Sequence, residues 1–289
     1  MSYVNAVVQG VLLGGLYALL ASGLSLMFGV MRLVNLAHGA LAVLAAYGAY
    51  EVVRVAGWHP LLALTVVVPA MAALGYALQR LVLNRALEIG PLSPLLATFG
   101  LAIVVESLLL ERFSADTRAL DIGALGTASV RLSERVSVGL LPLLTFAVGV
   151  TAVAGLQWYL FRTRGGRTMR ATSEDHEAAQ LMGVDDRHVY AVATATALAL
   201  VAVAGVFLGM RTTFAPTAGA ATLLFAFEAV VIGGLGSLWG TLAGGMVLGV
   251  AQLVGAAVSP GYGILTGHVV FLLVLAFRPR GLMPRAVTA

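Results

Sequence analysis

Residues 5–30 read NAVVQGVLLGGLYALLASGLSLMFGV, a run without a single charged side chain. A transmembrane helix needs about 20 consecutive apolar residues, so this run is long enough to cross a bilayer. It is too long for the apolar core of a signal peptide, and neither a basic leader nor a small-residue cleavage site accompanies it. We therefore expect it to be a retained membrane span.

The rest of the chain repeats this pattern. The 289 residues are 60% hydrophobic and only 10% charged, whereas soluble domains carry about 25% charged residues. Because that much apolar surface does not fit inside one water-soluble core, we predict an all-α, polytopic helix bundle of about eight or nine spans, with residues 1–289 forming a single transmembrane domain. The apolar stretches are 5–30, 36–56, 61–83, 94–111, 138–161, 189–210, 219–235, 239–257 and 262–278. The stretch 219–235 is short, so a full span and a re-entrant or broken helix both remain open.

The composition excludes several kinds of chemistry. All of the basic side chains are arginine, and the chain contains no cysteine. Without lysine there is no Walker A loop and no Schiff base, and without cysteine there is no disulfide, thiolate nucleophile or Cys-based metal site. We find no His-Glu-x-x-His and no Gly-x-Ser-x-Gly pattern. We therefore predict no catalytic residue, no metal site and no cofactor on this chain, and no nucleic-acid partner.

The arginines predict an orientation. If all nine stretches cross and the N-terminus is outside, more arginines face the cytoplasm than the exterior, as the positive-inside rule requires. The C-terminus is then cytoplasmic, and residues 112–137 form an extracytoplasmic loop with strand signals at 129–138. The cytoplasmic set is Arg32, Arg80, Arg85, Arg162, Arg164, Arg167, Arg170, Arg187, Arg278, Arg280 and Arg285. The outer set is Arg54, Arg112, Arg118, Arg131, Arg135 and Arg211.

One polar loop, residues 162–188, interrupts the apolar pattern. Thr172 and Ser173 offer N-caps for a short helix that begins near Glu174, and Gly183 stands where a C-terminal glycine belongs. Acidic residues in the first turn suit the helix dipole. A helix of about two turns is unstable alone, so it lies either on the membrane surface or in a groove of another protein. The residues predicted to form this short helix and its contact surface are Glu174, Glu177, Ala178, Ala179, Leu181, Met182 and Gly183.

Glycines recur at spacings of four near the C-terminus. Small residues at this spacing let two helices approach closely. The pattern fits either tight packing inside one subunit, or an interface with a second subunit or a pore-lining helix that must slide. The helix-packing glycines are Gly236, Gly240, Gly244 and Gly249, with Gly245 on a neighbouring face and Gly10 and Gly14 spaced alike.

Four polar residues are candidates for a translocation path or gate. Asn35 and His38 lie at the break between the first two stretches, where Asn35 could instead cap the second helix and His38 bond a carbonyl. Glu106 and Glu228 are expected to be buried inside spans, where carboxylates are costly and point to function. Each could alternatively pair with Arg112, Arg211 or another polar group, and we expect His268 to be a packed interior residue.

Four segments carry a family resemblance. Residues 177–183 (EAAQLMG) resemble the EAA loop of ABC importer permeases, although the usual downstream Leu-Pro is missing. In lacking this Leu-Pro, the chain resembles the branched-chain amino acid permease family. Residues 29–39 (GVMRLVNLAHG), 231–240 (VIGGLGSLWG) and 278–282 (RPRGL) also resemble this family. The Asn-Leu-Ala-His-Gly run resembles the shorter of its two paralogous inner-membrane permeases.

The resemblance implies a fold similar to the vitamin B12 type of importer and a location in the bacterial inner membrane. It implies a second, homologous permease or a homodimer, two cytoplasmic ATPases that dock on the helix at 174–183, and an external solute-binding protein. The cargo it implies is a branched-chain amino acid, or urea or a short amide. The alternative is a proton-coupled secondary transporter that uses Glu106 or Glu228, although we detect no repeated halves.

Overall fold

The computed structural model describes residues 3–133 and 136–283. Within those ranges the chain forms a bundle of α-helices with one β-hairpin, which confirms the predicted all-α class. Glu134, Arg135 and Arg285, which entered the predictions above, lie outside the described residues.

The long helices match the predicted apolar stretches. They are α1 (Tyr3–Met31), α2 (His38–Ala56), α3 (Pro60–Leu78), α5 (Ser93–Phe113), α7 (Leu140–Arg162), α10 (Asp186–Arg211), α11 (Gly219–Gly233), α12 (Leu238–Val258) and α13 (Tyr262–Phe277). The shorter ones are α4 (Asn84–Ile89), α6 (Ala124–Thr127), α8 (Arg164–Glu174) and α9 (His176–Leu181). A π turn, Gln79–Leu83, joins α3 to α4, and a 3₁₀ turn, Pro216–Ala218, precedes α11.

Eight spans within the described residues are long and apolar enough to cross a membrane. They include Pro216–Gly233, the seventh stretch, so its length and composition suit a full span. The remaining apolar helix, α13, has 16 residues and is therefore about 24 Å long.

The central element is α1. It is apolar on every side, and a helix of that kind belongs in the interior of a bundle. Most of its residues are buried, and α7, α10, α11 and α12 pack around it. By contrast, α3, α5 and α7 have most of their apolar surface on the outside of the subunit.

Glycine-to-glycine contact joins α1 to α12. The two helices run antiparallel, with Gly10 against Gly249 and Gly14 against Gly245. A methyl group added at Gly14 would collide with the backbone of Met246. The backbones touch because no side chain separates them, so these glycines serve packing inside the subunit.

The second helix begins deep within the bundle. His38, its first residue, places Nε2 2.7 Å from the carbonyl oxygen of Leu20. Leu20 lies eleven residues before Met31 (31 − 20), the last residue of α1. At 1.5 Å per residue that is about 16 Å, or roughly half the thickness of a bilayer core. The non-helical segment 32–37 therefore folds back from the end of α1 into the interior.

The end of the molecule opposite α8 and α9 carries the β-hairpin. Strands Ser129–Ser133 and Val136–Gly139 pair antiparallel, with Val130 opposite Val138, where strand signals were predicted. The preceding loop is bonded to the end of α10. Arg118 N donates to Phe214 O at 2.9 Å, and Leu120 N donates to Gly209 O at 2.9 Å.

We predict that Gly14→Leu destabilises the subunit, because overpacking a close contact costs about 1–3 kcal/mol or more. Gly100→Leu is the matched control, since Gly100 lies on the exposed side of α5 with nothing within 4 Å of an added Cβ. Thermal unfolding in detergent should show a lower midpoint for Gly14→Leu and an unchanged one for Gly100→Leu. Equal midpoints would contradict the packing role.

Candidate functional site

The polar loop folds into two helices instead of the one that was predicted. The first, α8, is 11 residues long, and its N-cap is Thr163, whose hydroxyl accepts from Gly166 N at 3.0 Å. The sequence analysis missed this helix because Gly165 and Gly166 follow its cap. The cap itself, a threonine three residues before the amide that it accepts, was the available signal.

The second helix, α9, begins later than predicted. Asp175 is its N-cap and accepts from Ala178 N at 3.0 Å. Thr172 and Ser173 are not caps, because their hydroxyls donate to carbonyls within α8. The predicted position of Glu174 was wrong, since this residue ends α8 and does not stand in the first turn of α9, whereas its predicted role in coupling stays a prediction.

Gly183 stands at the predicted C-terminal position. Its φ is +84°, a left-handed value that favours glycine. Val184 N donates back to Ala179 O at 3.1 Å, and Gly183 N donates to Gln180 O at 2.9 Å. These are the bonds of a glycine-terminated helix end. The chain then enters α10 after only two residues, so α9 is held closely to the start of a long central helix.

The outer surface of α9 presents two large apolar side chains. Leu181 is 89% exposed and Met182 is 85% exposed, whereas Ala179 is buried against the bundle. Glu177 and Ala178 are also exposed. We call Glu177, Ala178, Leu181 and Met182 the α9 surface. Apolar side chains this exposed, on a helix too short to be stable alone, fit both predicted surroundings, the membrane surface and a groove in another protein.

Two ion pairs connect this loop to the continuous helical segment formed by α3, the π turn and α4. Arg187 pairs with Glu88 at 2.5 Å, and Arg80 pairs with Asp185 at 3.5 Å. Both pairs are exposed, so each contributes little to stability, but together they restrict where the loop can lie. On the other side, Arg170 of α8 donates from Nε to Leu160 O of α7 at 3.0 Å.

Segments far apart in sequence meet beside α8. The glycine-rich turn at 234–237 has positive φ at Gly234 and Gly236. Gly236 therefore lies in the turn before α12, which corrects its prediction as part of a helical face. Gly240 and Gly244 do lie on α12, where they contact Gly233 and Ala229 of α11.

The closing segment docks on the same turn. Leu282 N donates to Ile232 O at 2.8 Å, and Met283 N donates to Gly233 O at 2.9 Å. A cleft of about 190 Å³ separates this turn from α1, α7 and α8, with Ser25, Gln157 and Trp239 among its lining residues. Residues 29–30 also line it. Three of the segments that carry the family resemblance thus lie at one end of the molecule.

Asn35 and His38 are both fully buried. Asn35 Oδ1 accepts from Ala37 N at 2.9 Å, and His38 N donates to Asn35 O at 3.2 Å. Asn35 thus builds the turn that leads into α2, although the N-cap position itself is Ala37. These contacts match the structural alternative, and a gating role stays a prediction.

A polar cluster lies inside the bundle, where four helices meet. Tyr17 OH of α1 donates to Gln252 Oε1 of α12 at 2.5 Å. Glu228 Oε1 of α11 bonds His268 Nδ1 of α13, also at 2.5 Å. The Phe225 ring lies between the two pairs, with its centroid 5.5 Å from that of Tyr17 and 6.2 Å from that of His268. We call these five residues the intramembrane cluster.

The two predicted carboxylates have different environments. Glu228 is 1% exposed, and its hydrogen-bonding partner is His268. His268 was expected to be a packed interior residue, but its side chain is 32% exposed. Glu106 was predicted to be buried, but it is partly exposed, on the outward side of α5 where Ile103 and Val104 are exposed. Arg112, proposed as a partner, lies near Glu51, 3.9 Å away.

No group of three or more His, Cys, Asp or Glu side chains is placed to hold a metal in the ranges that the structure describes. The fold defines a class, the multi-pass permease subunit of a membrane transport system. The family model for the permease component of the branched-chain amino acid transport system matches residues 6–277, and the chain belongs to this family.

Individual relatives agree with this assignment. The chain is 30% identical over 297 residues to the high-affinity branched-chain amino acid transport system permease protein BraD of Pseudomonas aeruginosa, covering 98% of this chain and 96% of that protein. It is 28% identical over 295 residues to the corresponding LivH protein of Escherichia coli, with coverage of 98% and 96%. These similarities confirm the resemblance and place the chain among transport subunits.

A solved structure supports the fold alone. PsaBC from Streptococcus pneumoniae, in complex with Fab, aligns with a TM-score of 0.51 at 12% identity, covering 97% of this chain and 93% of that chain.

We predict that Asp175→Ala loosens α9, because loss of an N-cap costs about 1 kcal/mol. Hydrogen exchange of the α9 amides should then accelerate about fivefold. Asp175→Asn retains an acceptor and serves as the matched control, with exchange close to that of the wild type. If the alanine and asparagine variants exchange alike, the capping role is wrong.

Proposed function

We propose that this chain imports a branched-chain amino acid, or a related small polar solute such as urea or a short amide, driven by ATP hydrolysis on partner chains. One observation carries the ATPase coupling: the exposed apolar α9 surface, held between the start of α10 and the end of α8. No cofactor is required on this chain, because the nucleotide is bound by the partners.

The proposed assembly contains a second permease, homologous or identical, and two ATPases that contact the α9 surface. An extracytoplasmic solute-binding protein delivers the cargo. The N-terminus is outside and the C-terminus is cytoplasmic, in a bacterial inner membrane. This orientation puts α8 and α9 in the cytoplasm and the β-hairpin outside, where the binding protein approaches.

Two short connections join the α9 surface to the bundle, one at each end of α9. Through Gly183 the surface is joined to α10, which packs along α1, α2 and α3. Through Asp175 it is joined to α8, which is bonded to α7 by Arg170. A movement of the ATPases therefore displaces α7 and α10 together. The cleft between α8 and the glycine-rich turn leaves room for that displacement.

We predict that Leu181→Asp with Met182→Asp abolishes ATPase binding, because charge replaces apolar contact at the centre of the interface. Copurification of the ATPases with the permease should fall at least tenfold. Val130→Asp is the matched control, since Val130 is half-exposed on the β-hairpin at the opposite end. Wild-type copurification of the double variant would contradict the docking site.

We also expect Glu177→Arg to leave membrane insertion intact and to uncouple ATP hydrolysis from uptake, since it reverses a charge on the α9 surface. The measurement is L-leucine or urea uptake per ATP hydrolysed in reconstituted vesicles. An unchanged ratio would rule out a coupling role for Glu177. Uptake that survives ATP depletion but collapses with an uncoupler would instead indicate proton coupling.

A further inference from the structure

Three buried polar atoms in and beside the intramembrane cluster have no hydrogen-bonding partner among the described residues. They are Glu228 Oε2, Gln252 Nε2 and Arg211 Nη1. Glu228 and Gln252 are 1% and 6% exposed, so bulk water does not satisfy them. Leaving such atoms unpaired is costly, and native proteins rarely do so without a reason.

These three atoms belong to one neighbourhood. Tyr17 bonds Gln252, and its ring centroid lies 5.5 Å from that of Phe225, which stands three residues before Glu228 on α11. Arg211 is the last residue of α10, which packs along α1, the helix that carries Tyr17. Gln252 packs against Gly267, where an added Cβ would lie 3.1 Å from Nε2. The next residue is His268, the partner of Glu228. The two hydrogen-bonded pairs therefore belong to one polar neighbourhood, with the Phe225 ring between them.

The unpaired atoms are of complementary kinds. Glu228 supplies an anionic acceptor, Arg211 supplies a cationic donor and Gln252 supplies a neutral donor. This set matches the ammonium and carboxylate groups of a zwitterion. The region also reaches the outside of the subunit, because the side chain of His268, on α13, is 32% exposed.

We propose that the intramembrane cluster and Arg211 form a transient site for a zwitterionic α-amino acid during its passage. Glu228 Oε2 accepts from the ammonium group, while Arg211 and Gln252 donate to the carboxylate. His268 and Tyr17 are positioning residues, which hold Glu228 and Gln252 in place. The proposal rests on the import function above and selects its amino-acid cargo over neutral amides.

Glu228→Gln tests the site, because it keeps the size of the side chain and removes its charge. The full transporter, with partner permease, ATPases and binding protein, is reconstituted in vesicles. Radiolabelled L-leucine uptake, radiolabelled urea uptake and ATP hydrolysis are measured in parallel. Loss of a charge-assisted bond to the solute should slow L-leucine uptake about tenfold or more. The rate of ATP hydrolysis should change less than about twofold. The unfolding midpoint should change by no more than a few degrees.

Two further variants sharpen the result. Arg211→Gln removes the opposite charge and should give the same split between uptake and hydrolysis, whether or not Glu228→Gln folds. Glu111→Gln is the matched control, since Glu111 is an exposed carboxylate near the end of α5. It should transport at the wild-type rate.

The outcomes separate this proposal from the proposed function. Wild-type vesicles report the function: failure to import either L-leucine or urea with ATP would contradict it, and the site would fall with it. Import of urea but not of L-leucine would keep the function and overturn the zwitterion site. If the wild type imports L-leucine, a Glu228→Gln variant at the wild-type rate would overturn the site. A parallel fall of uptake, hydrolysis and thermal stability in both charge variants would also overturn it, because the cluster would then be structural.

Discussion

The need to satisfy every backbone polar group without water shapes this molecule, because a bilayer core offers no solvent hydrogen bonds. The segment 32–37 shows the requirement most clearly, since it is non-helical yet runs from the end of α1 to about mid-depth. Its amides find partners inside the protein: Leu36 N donates to Thr98 Oγ1 at 3.1 Å, and Ala37 N donates to Asn35 Oδ1. Removing the Thr98 and Asn35 side chains would leave the Leu36 and Ala37 amides unpaired and would destabilise the start of α2.

Close glycine packing follows from the same environment. In a bilayer, helices gain little from hiding apolar surface from one another, because lipid tails are equally apolar. Backbone contact between α1 and α12, and between α11 and α12, gives the dispersion contact that hydrophobic burial supplies in water. The contact between α1 and α12 also brings Tyr17 close enough to bond Gln252.

The sequence predicted what depends on local composition. All nine apolar stretches form helices close to their predicted limits. Gly183 ends α9 because its backbone adopts a left-handed conformation, which favours glycine. When a helix is apolar on all sides, its sequence does not show which side faces the rest of the protein. Glu106 was therefore wrongly expected to be buried. The bond between Glu228 and His268 joins residues forty positions apart, and only the packing of α13 against α11 brings them together. Helix α8 was not predicted because Gly165 and Gly166 stand in its first turn, and glycine is unfavourable in helices.

The exposure of Leu181 and Met182 has a consequence for the life of the subunit in the cell. If an ATPase docks there as proposed, a copy that has not met one presents two uncovered apolar side chains to water, on a helix with little stability of its own. Such a surface is what chaperones and quality-control proteases recognise in unassembled proteins. The same residues that serve docking would therefore shorten the lifetime of surplus copies, and subunit numbers would be balanced by degradation.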